Sequence, residues 1–427
     1  MMGFPHHIEA SVRAARPWRH PQELTADPFA TAAPAFAPVG PRRSRLLSAL
    51  LTVVLVGASL GVAFGLGELL VRLVVPQQLV IKRPDIWQAV DTLGWAHRPN
   101  VNTTINTGER TVRVITDRDG LRVGLRGRVE GKRHVLLLGD SFMEALQVEY
   151  EQSVAGLLEA RLTSRLGEPV AVRNGGVGGW DPPQYLMEAR RRIGREGFDL
   201  VIVAVYLGND VVPRRIERYP PGPPVDVPIH RFRWPQCFCS REFVDAVLYP
   251  INDFLKGRSQ LFNFLKQRAG TLRMRLGLTA EYLPTDLLRR EANSPRWAVT
   301  AQICRDIARL ARAHGASTLF VLIPARYQVD TAAFYQALRG FRIDPAAVDL
   351  EQPERLLGSA MHEYGLDVVD VLANFRQTMR GGTRLYGEVD SHLSPDGHDL
   401  LEHVIEPMVT ARLPAPGPRA PLQRGGF

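Results

Sequence analysis

Two sequence blocks carry side chains that together could catalyse acyl transfer. Ser141 stands in the sequence GDSF at residues 139–142, and His392 follows Asp390 by two residues near the C-terminus. A neutral imidazole can take the proton of a serine hydroxyl, while a carboxylate beside it fixes the tautomer and stabilises the imidazolium. These residues therefore predict nucleophilic catalysis, with Ser141 as nucleophile, His392 as base and Asp390 as the orienting acid.

Two further blocks offer hydrogen-bond donors for the oxyanion of such a reaction, to which the N–H of Ser141 would also donate. The sequence NGGVGG at residues 174–179 has few side chains, so Gly179 can present its N–H to a substrate oxygen. Asn209, in the sequence YLGND, can supply a side-chain N–H to the same oxygen. Each block also has a plainer explanation: an N-cap role for Ser141, a tight turn for the glycines, and a turn-forming Asn-Asp pair.

Short apolar runs alternate with helical patterns along the chain and would position these blocks. The runs lie at residues 135–138, 170–172, 200–205, 318–323 and 366–369, with helical patterns between them, such as 152–166 and 299–313. This alternation predicts a doubly wound α/β domain with a parallel five-stranded sheet. In such a sheet the site forms beyond the carboxyl ends of the strands. Ser141, Gly179, Asn209 and His392 each follow a strand and are expected to meet there.

An uncharged apolar stretch runs from residue 46 to residue 67, which is about long enough to cross a hydrocarbon core as one transmembrane helix. Arg42, Arg43 and Arg45 directly precede it, so the positive-inside rule favours a cytoplasmic N-terminus and an exported remainder. A cleaved signal peptide and a buried core helix are the competing interpretations. We expect an uncleaved signal anchor in a bacterial cytoplasmic membrane, with the catalytic domain on the extracytoplasmic side.

These features predict the domain organisation of the chain. Residues 1–45 form a cytoplasmic, disordered segment, 46–75 the anchor, 76–130 a linker with a small β layer outside the sheet, 131–413 the catalytic domain, and 414–427 a disordered tail. An insertion at about 211–298 is far longer than an ordinary connection within an α/β domain. It is interpreted either as a lid or acceptor-binding cap over Ser141 that touches the membrane surface, or as a helical pair packed on the sheet.

Composition argues against several other classes of site. The formal net charge is +9, but nearly all basic residues are arginines, and no basic run is interleaved with aromatic residues. Nucleic-acid binding is therefore not expected. Cys237 and Cys239 are separated by one residue, a spacing that suits neither an ordinary zinc site nor a relaxed disulfide. Cys304 lies in a helical pattern and is expected to be a small buried thiol.

Taken in the order Ser, Gly, Asn, His, the four blocks resemble the SGNH (GDSL-like) hydrolases. Ser141, Gly179, Asn209 and His392 match the four residues that name the family, and Asp390 matches its acid. The resemblance covers about 280 residues, from 130 to 410. It implies a flavodoxin-like three-layer α/β/α fold, acyl-ester chemistry, and no metal or other cofactor.

The lead-in to the first block, TDRDGLR at residues 116–122, is similar to that of membrane-anchored bacterial members of this family. Two positions depart from the family's pattern. Val389 stands three residues before the histidine, where the acid is usual, so that the nearest acid is Asp390. Ala145 occupies a position where a glycine often follows the serine. The Asp-x-His spacing resembles that of proteins which acetylate exported polysaccharides.

The function expected from sequence is that of a serine esterase acting on acyl esters, above all O-acetyl esters, of an extracytoplasmic glycan or lipid. One alternative is an O-acetyltransferase, in which the same acyl-enzyme passes its acetyl group to a sugar hydroxyl. The other is a catalytically silent envelope scaffold, against which the intact Ser141, Asn209, Asp390 and His392 argue. Apart from the ester substrate and the membrane, no partner is predicted.

We predict that the N-terminus lies in the cytoplasm and the C-terminus outside it, because arginines precede the apolar stretch. A reporter enzyme that functions only outside the cytoplasm, fused after Phe427, should be active in cells. The matched control is a reporter that functions only in the cytoplasm, fused at the same residue. Activity of the cytoplasmic reporter alone would contradict both the topology and the exported substrate.

Overall fold

The computed structural model describes residues 42–77, 85–107, 109–222, 230–232, 249–256, 258–276, 278–281, 283–290, 295–388 and 390–413. The first 41 residues and the tail from residue 414, both predicted to be disordered, lie outside the described residues, as do Cys237, Cys239 and Val389. The described chain divides into two compact units after Gly61. The sheet and the candidate site belong to the unit that begins at Val62.

Helices account for much of this chain. They are α1 (Arg42–Val74), α2 (Ser141–Glu144), α3 (Val154–Leu166), α4 (Pro182–Ile193), α5 (Tyr249–Lys256), α6 (Gln260–Arg275), α7 (Thr285–Leu288), α8 (Arg296–Ala313), α9 (Arg326–Val329), α10 (Thr331–Phe341), α11 (Gln352–Glu363), α12 (Leu372–Arg380) and α13 (Pro395–Arg412).

The strands lie mostly in one sheet. They are β1 (Trp87–Val90), β2 (Gly94–His97), β3 (Asn102–Asn106), β4 (Thr111–Thr116), β5 (Arg122–Val123), β6 (Arg133–Leu138), β7 (Val170–Asn174), β8 (Leu200–Tyr206), β9 (His230–Phe232), β10 (Thr279–Glu281), β11 (Ser317–Ile323) and β12 (Val368–Asp370). β1 pairs with β2 and β9 pairs with β10 in two separate antiparallel ribbons.

The predicted apolar stretch lies within α1. Its segment Leu47–Val74, 28 residues long, is long and apolar enough to cross a membrane, at about 1.5 Å of rise per residue. Its side chains are largely exposed; Leu55 and Leu60, for example, each have more than half of their surface accessible.

The main sheet is mixed, and the predicted five-stranded parallel sheet is only part of it. Among the described residues, its strand order is β12-β11-β8-β6-β7-β5-β4-β3. The five strands predicted from sequence are β6, β7, β8, β11 and β12, and each is parallel to its neighbours among them. Numbered along the chain, their spatial order is 2-1-3-4-5, one of the two common orders of doubly wound sheets.

The three remaining strands of the sheet come from the segment 76–130, which was predicted to lie outside it. That prediction was wrong: β3, β4 and β5 extend the sheet beyond β7 as antiparallel strands. The join between the two parts is a single pairing, Arg122 of β5 with Asn174 of β7. Sequence patterns report which face of a strand is apolar, but they do not report which strand lies beside it.

Helices cover both faces of the parallel strands and form two cores. One core contains residues of α4, α8 and α11, including the buried Cys304, as predicted for this thiol. The other contains residues of α3, α12 and α13. Side chains alternate between these cores along each strand, with Leu136 and Leu138 facing the first and Val135 and Leu137 the second. The described domain therefore has three layers, helix, sheet and helix.

The described part of the insertion at 211–298 contains β9, β10 and the helices α5, α6 and α7. The segment contains a helix pair, formed by α5 and α6, but its described contacts are with α1 and not with the main sheet. The first turn of α6 contacts the last turns of α1, where Ser259 donates from its hydroxyl to Glu68 at 2.8 Å.

Candidate active site

Ser141 is the first residue of α2, three residues after the end of β6. The N-cap of α2 is Asp140, whose carboxylate accepts from the N–H of Phe142 at 2.9 Å. Ser141 is therefore not a capping residue, and its hydroxyl is free to bond elsewhere. The helix is only one turn long. Its end is set by Ala145, whose φ of 57° is in the left-handed region that favours glycine.

His392 lies in the loop that precedes α13 and contacts Ser141 directly. Its Nε2 lies 2.7 Å from the Ser141 Oγ, and its Nδ1 bonds the Oδ1 of Asp390. A proton on Nδ1, held by the carboxylate, leaves Nε2 as the acceptor for the serine proton. The three residues predicted as nucleophile, base and acid are thus brought together, although 251 residues separate Ser141 from His392.

The acid is held by two residues that the sequence interpretation missed. Gln147 donates from its side chain to the Oδ2 of Asp390 at 3.1 Å. Glu109, in the turn between β3 and β4, accepts from the backbone N–H groups of Glu388 and Asp390 at 3.0 and 2.9 Å. The acid loop is therefore fixed by the antiparallel part of the sheet.

Electrostatics within the triad favour the ion pair between His392 and Asp390. Burial by itself would lower the pKa of His392, but the charge of Asp390 and its hydrogen bond outweigh burial and raise the pKa to about 9. Burial likewise would raise the pKa of Asp390, whereas the charge and hydrogen bonds of His392 lower it to about 2. The imidazolium that forms during catalysis by such a triad would be stabilised by the same pairing.

Gly179 and Asn209 lie in the loops that follow the two strands flanking β6. Gly179 follows β7 and Asn209 follows β8, and in the sheet β6 lies between these strands. Gly179 has a φ of +77°, a conformation that L side chains rarely adopt, and both residues are exposed. In the described part of the chain, neither the Gly179 N–H nor the Asn209 side chain has a hydrogen-bond partner. These donors are available to a ligand at the carboxyl edge of the sheet.

The turn after Ser141 is bonded to a buried arginine that no sequence motif indicated. Arg122, on β5, is completely buried and donates to the carbonyl groups of Glu144, Ala145 and Val148. Burial lowers the pKa of its guanidinium to about 10, so the group stays charged at neutral pH. Asn174 also donates to this turn, from its side chain to the Met143 carbonyl at 2.8 Å.

Glu144, three residues after Ser141, is a further residue of the site that the sequence did not indicate. It is buried, and its Oε1 accepts from the indole N–H of Trp87 at 2.9 Å and lies 2.6 Å from the Nε2 of His97. The other ring nitrogen of His97 lies 3.3 Å from the Gly120 carbonyl. The one signal in the sequence is an acidic residue inside the apolar run FMEAL, which predicts a buried partner but does not identify it.

Two buried carboxyl groups lie close to the nucleophile. Burial raises the pKa of Asp140 to about 6, although the Phe142 N–H and the charge of His392 act in the opposite direction. Asp210 accepts from the Tyr185 hydroxyl and the Tyr206 N–H, both at 2.8 Å. Burial and the nearby charge of Asp140 raise its pKa well above the ordinary value. Repulsion between the two groups therefore favours a protonated Asp210.

The remaining histidine of the C-terminal block, His398, lies in α13 and is buried. Burial lowers its pKa to about 3, so the ring is neutral. A cavity of about 110 Å³ beside His392 is lined by Thr107, Arg110, Gln147 and Arg384, among others. In the described part of the chain, no three His, Cys, Asp or Glu side chains are placed to hold a metal ion.

We predict that His97→Ala lowers kcat on a soluble aryl ester by about ten- to a hundredfold, because a small displacement of the Ser141 turn misaligns the nucleophile. His97→Gln, which can still donate to Glu144, should recover most of that loss. His134→Ala is the matched control, since His134 is also partly buried but lies at the amino end of β6 and contacts the Gly131 carbonyl. Equal losses at the two histidines, in variants with native circular dichroism, would contradict this role.

No family model and no curated protein sequence matches this chain. Among solved structures it is similar to TesA, with 15% identity over 66% of this chain and 100% of TesA and a TM-score of 0.35. It is similar to a lipolytic protein of the G-D-S-L family from Veillonella parvula, with 13% identity over 65% of this chain and 98% of that one and a TM-score of 0.33. It is also similar to Axe2, an acetylxylan esterase from Geobacillus stearothermophilus, with 12% identity over 65% of this chain and 94% of that one and a TM-score of 0.34.

Proposed function

We propose that this protein is a serine esterase of the SGNH type that works through an acyl-enzyme. The observation that carries the proposal is the chain of contacts from Ser141 Oγ to His392 Nε2, at 2.7 Å, and from His392 Nδ1 to Asp390. A nucleophile within hydrogen-bond reach of a base, with the base oriented by a third group, is the arrangement that activates a serine hydroxyl.

In the first half of the proposed reaction, the Ser141 hydroxyl attacks the ester carbonyl and His392 takes its proton. The oxyanion receives hydrogen bonds from the N–H of Ser141, the N–H of Gly179 and the side chain of Asn209. His392 then returns the proton to the leaving alcohol, and an ester of Ser141 remains. In the second half, His392 deprotonates water, which attacks this ester, and the proton passes from His392 to the departing Ser141 oxygen as the acid is released.

We propose an acyl ester of an extracytoplasmic glycan or lipid, and in particular an O-acetyl ester, as the substrate. Support comes from α1, which is long and apolar enough to anchor the chain, and from the arginines at its N-terminal side. The domain would then act on components of the envelope outside the cytoplasmic membrane. The alternative is acetyl transfer to a sugar hydroxyl, which the Asp-x-His spacing favours. The esterase is favoured if the protein hydrolyses an aryl acetate rapidly and does not transfer the acetyl group to an added glycan acceptor.

We predict that a fluorophosphonate probe labels the purified full-length protein in detergent, because His392 activates the Ser141 hydroxyl. Ser141→Ala should abolish the labelling. Ser164→Ala is the matched control, since Ser164 lies exposed on α3. Labelling that persists in Ser141→Ala would show that another residue is the nucleophile.

We predict that Asp390→Asn lowers turnover by about 10⁴-fold, because an amide favours the wrong tautomer of His392. Asp396→Asn should have little effect, since Asp396 is exposed in the first turn of α13. In the wild type, kcat/KM should rise with pH through the raised pKa of His392, because only the neutral imidazole accepts a proton. Loss of the Asp390 charge should move this rise to lower pH. Asp390→Asn with a normal rate and an unmoved pH profile would remove Asp390 from the triad.

A further inference from the structure

The helix pair α5–α6 is not used by the proposed chemistry, and it is attached to the end of the apolar helix. Glu68, one and a half turns before the end of α1, accepts from the backbone N–H groups of Gln260 and Leu261, both at 2.9 Å. It also accepts from the hydroxyl of Ser259. The first N–H groups of a helix have no partner within the helix, and a carboxylate is favoured there by the helix dipole. The side chain of Glu68, a residue of α1, therefore caps the N-terminus of α6.

Other contacts hold the same end of the pair. The side chain of Gln260 accepts from the backbone N–H of Gln77 at 2.9 Å, and Arg72 donates to the Arg258 carbonyl at 3.2 Å. Leu261 packs so closely on Gly67 that a Cβ added to this glycine would lie 3.0 Å from the leucine Cδ2. The carboxylate in the apolar helix is thus fully paired, and α6 starts at the level where the span ends.

An apolar stripe continues along α6 from this contact. Leu261, Leu265 and Leu272 of α6, and Leu276 directly after it, are spaced by four, seven and four residues, which places them on one side of the helix. Arg268 lies on the same side, between Leu265 and Leu272, so its long side chain must extend from this face to the headgroups. Leu265, Leu272 and Leu276 are 54%, 56% and 62% exposed. Leu261, at the start of the stripe, therefore packs against α1, whereas the leucines beyond the first turn of α6 are exposed.

Cations and aromatic rings accompany this stripe. The guanidinium of Arg258 lies 4.2 Å from the ring centre of Phe254, and that of Arg268 lies 5.2 Å from the ring centre of Phe264. Lys266 is likewise close to Phe262, at 5.9 Å. Aromatic rings with adjacent basic groups are typical of protein segments at the boundary between the hydrocarbon core and the headgroups.

We propose that α5 and α6 lie on the bilayer surface where α1 leaves it, with the leucine stripe inserted below the headgroups and the basic residues on anionic phospholipid. The contact through Glu68 fixes the depth of the helix pair relative to the span, and the exposed leucines and positive charges match the two layers of a lipid surface. The proposal rests on α1 crossing the membrane. It is independent of the esterase activity.

The test uses the full-length protein in nanodiscs that contain phosphatidylglycerol and phosphatidylcholine. A photoactivatable diazirine amino acid is placed at Leu272, and the lipid adducts formed on irradiation are measured by mass spectrometry. The matched control carries the same amino acid at Leu125, a leucine that is 65% exposed in the turn after β5. We expect lipid adducts several-fold more abundant at position 272 than at position 125, and enriched in phosphatidylglycerol beyond its share of the bilayer.

A second variant tests the charges. The double substitution Lys266→Gln with Arg268→Gln should reduce the enrichment of phosphatidylglycerol among the adducts at position 272. Each cation removed should weaken the binding of this lipid by about fivefold. Equal adduct yields at positions 272 and 125 would overturn the proposal, as would cross-links from position 272 to a second copy of the chain in place of lipid. Labelling of Ser141 by fluorophosphonate in the same samples reports the esterase site separately, so that failure of one proposal is distinguishable from failure of the other.

Discussion

The guanidinium of Arg122 is wholly buried, and a charge in that position is costly unless polar groups surround it. The carbonyl groups it binds belong to the turn that begins with Ser141. Backbone carbonyls that accept from Arg122 are turned away from the N–H groups that would continue the helix, and α2 stops after one turn. The position of the serine therefore depends on a residue of the antiparallel strands, which makes those strands part of the site.

The same dependence recurs at the other components of the site. Glu109 holds the acid loop through two backbone N–H groups, and Trp95 donates from its indole to the carbonyl of Gly178 at 2.9 Å, beside the exposed Gly179. His97 and Trp87 reach Glu144. A catalytic serine needs its base and oxyanion donors positioned within a fraction of an ångström, because misplacement is costly in rate. A layer that bonds all three loops supplies that rigidity.

The pKa values of the charged residues at the site depend on burial as well as on ion pairing. The ring of Phe142 lies between Tyr206 and His392, at 4.0 and 4.9 Å between ring centres, and keeps water from one side of the imidazole. In this setting the Asp390 carboxylate raises the pKa of His392 more than desolvation lowers it. The apolar helix and the α5–α6 pair show the same rule elsewhere, since Glu68 is placed among apolar residues with a hydrogen-bond donor at each oxygen.

Local patterns in the sequence were sufficient for the features that depend on neighbours along the chain. The apolar stretch within α1, the five parallel strands, and the positions of Ser141 and His392 after strands follow from periodicity, length and spacing. The N-cap of α13 does as well, because Ser394 precedes Pro395 and accepts from the Gly397 N–H. The sequence also showed that Ala145 stands where a glycine is common. It did not show that the φ of Ala145 lies in the left-handed region.

Contacts between distant segments were decided only by the tertiary structure. The order of strands places β6 between β7 and β8, and only that order puts Gly179 and Asn209 on either side of Ser141. The pairing of β5 with β7, the burial of Arg122 and the bond from Glu109 to the acid loop join residues that no periodicity relates. Such contacts are selected because a buried polar group must find a partner somewhere in the fold, and a sequence specifies the need for that partner without stating where it lies.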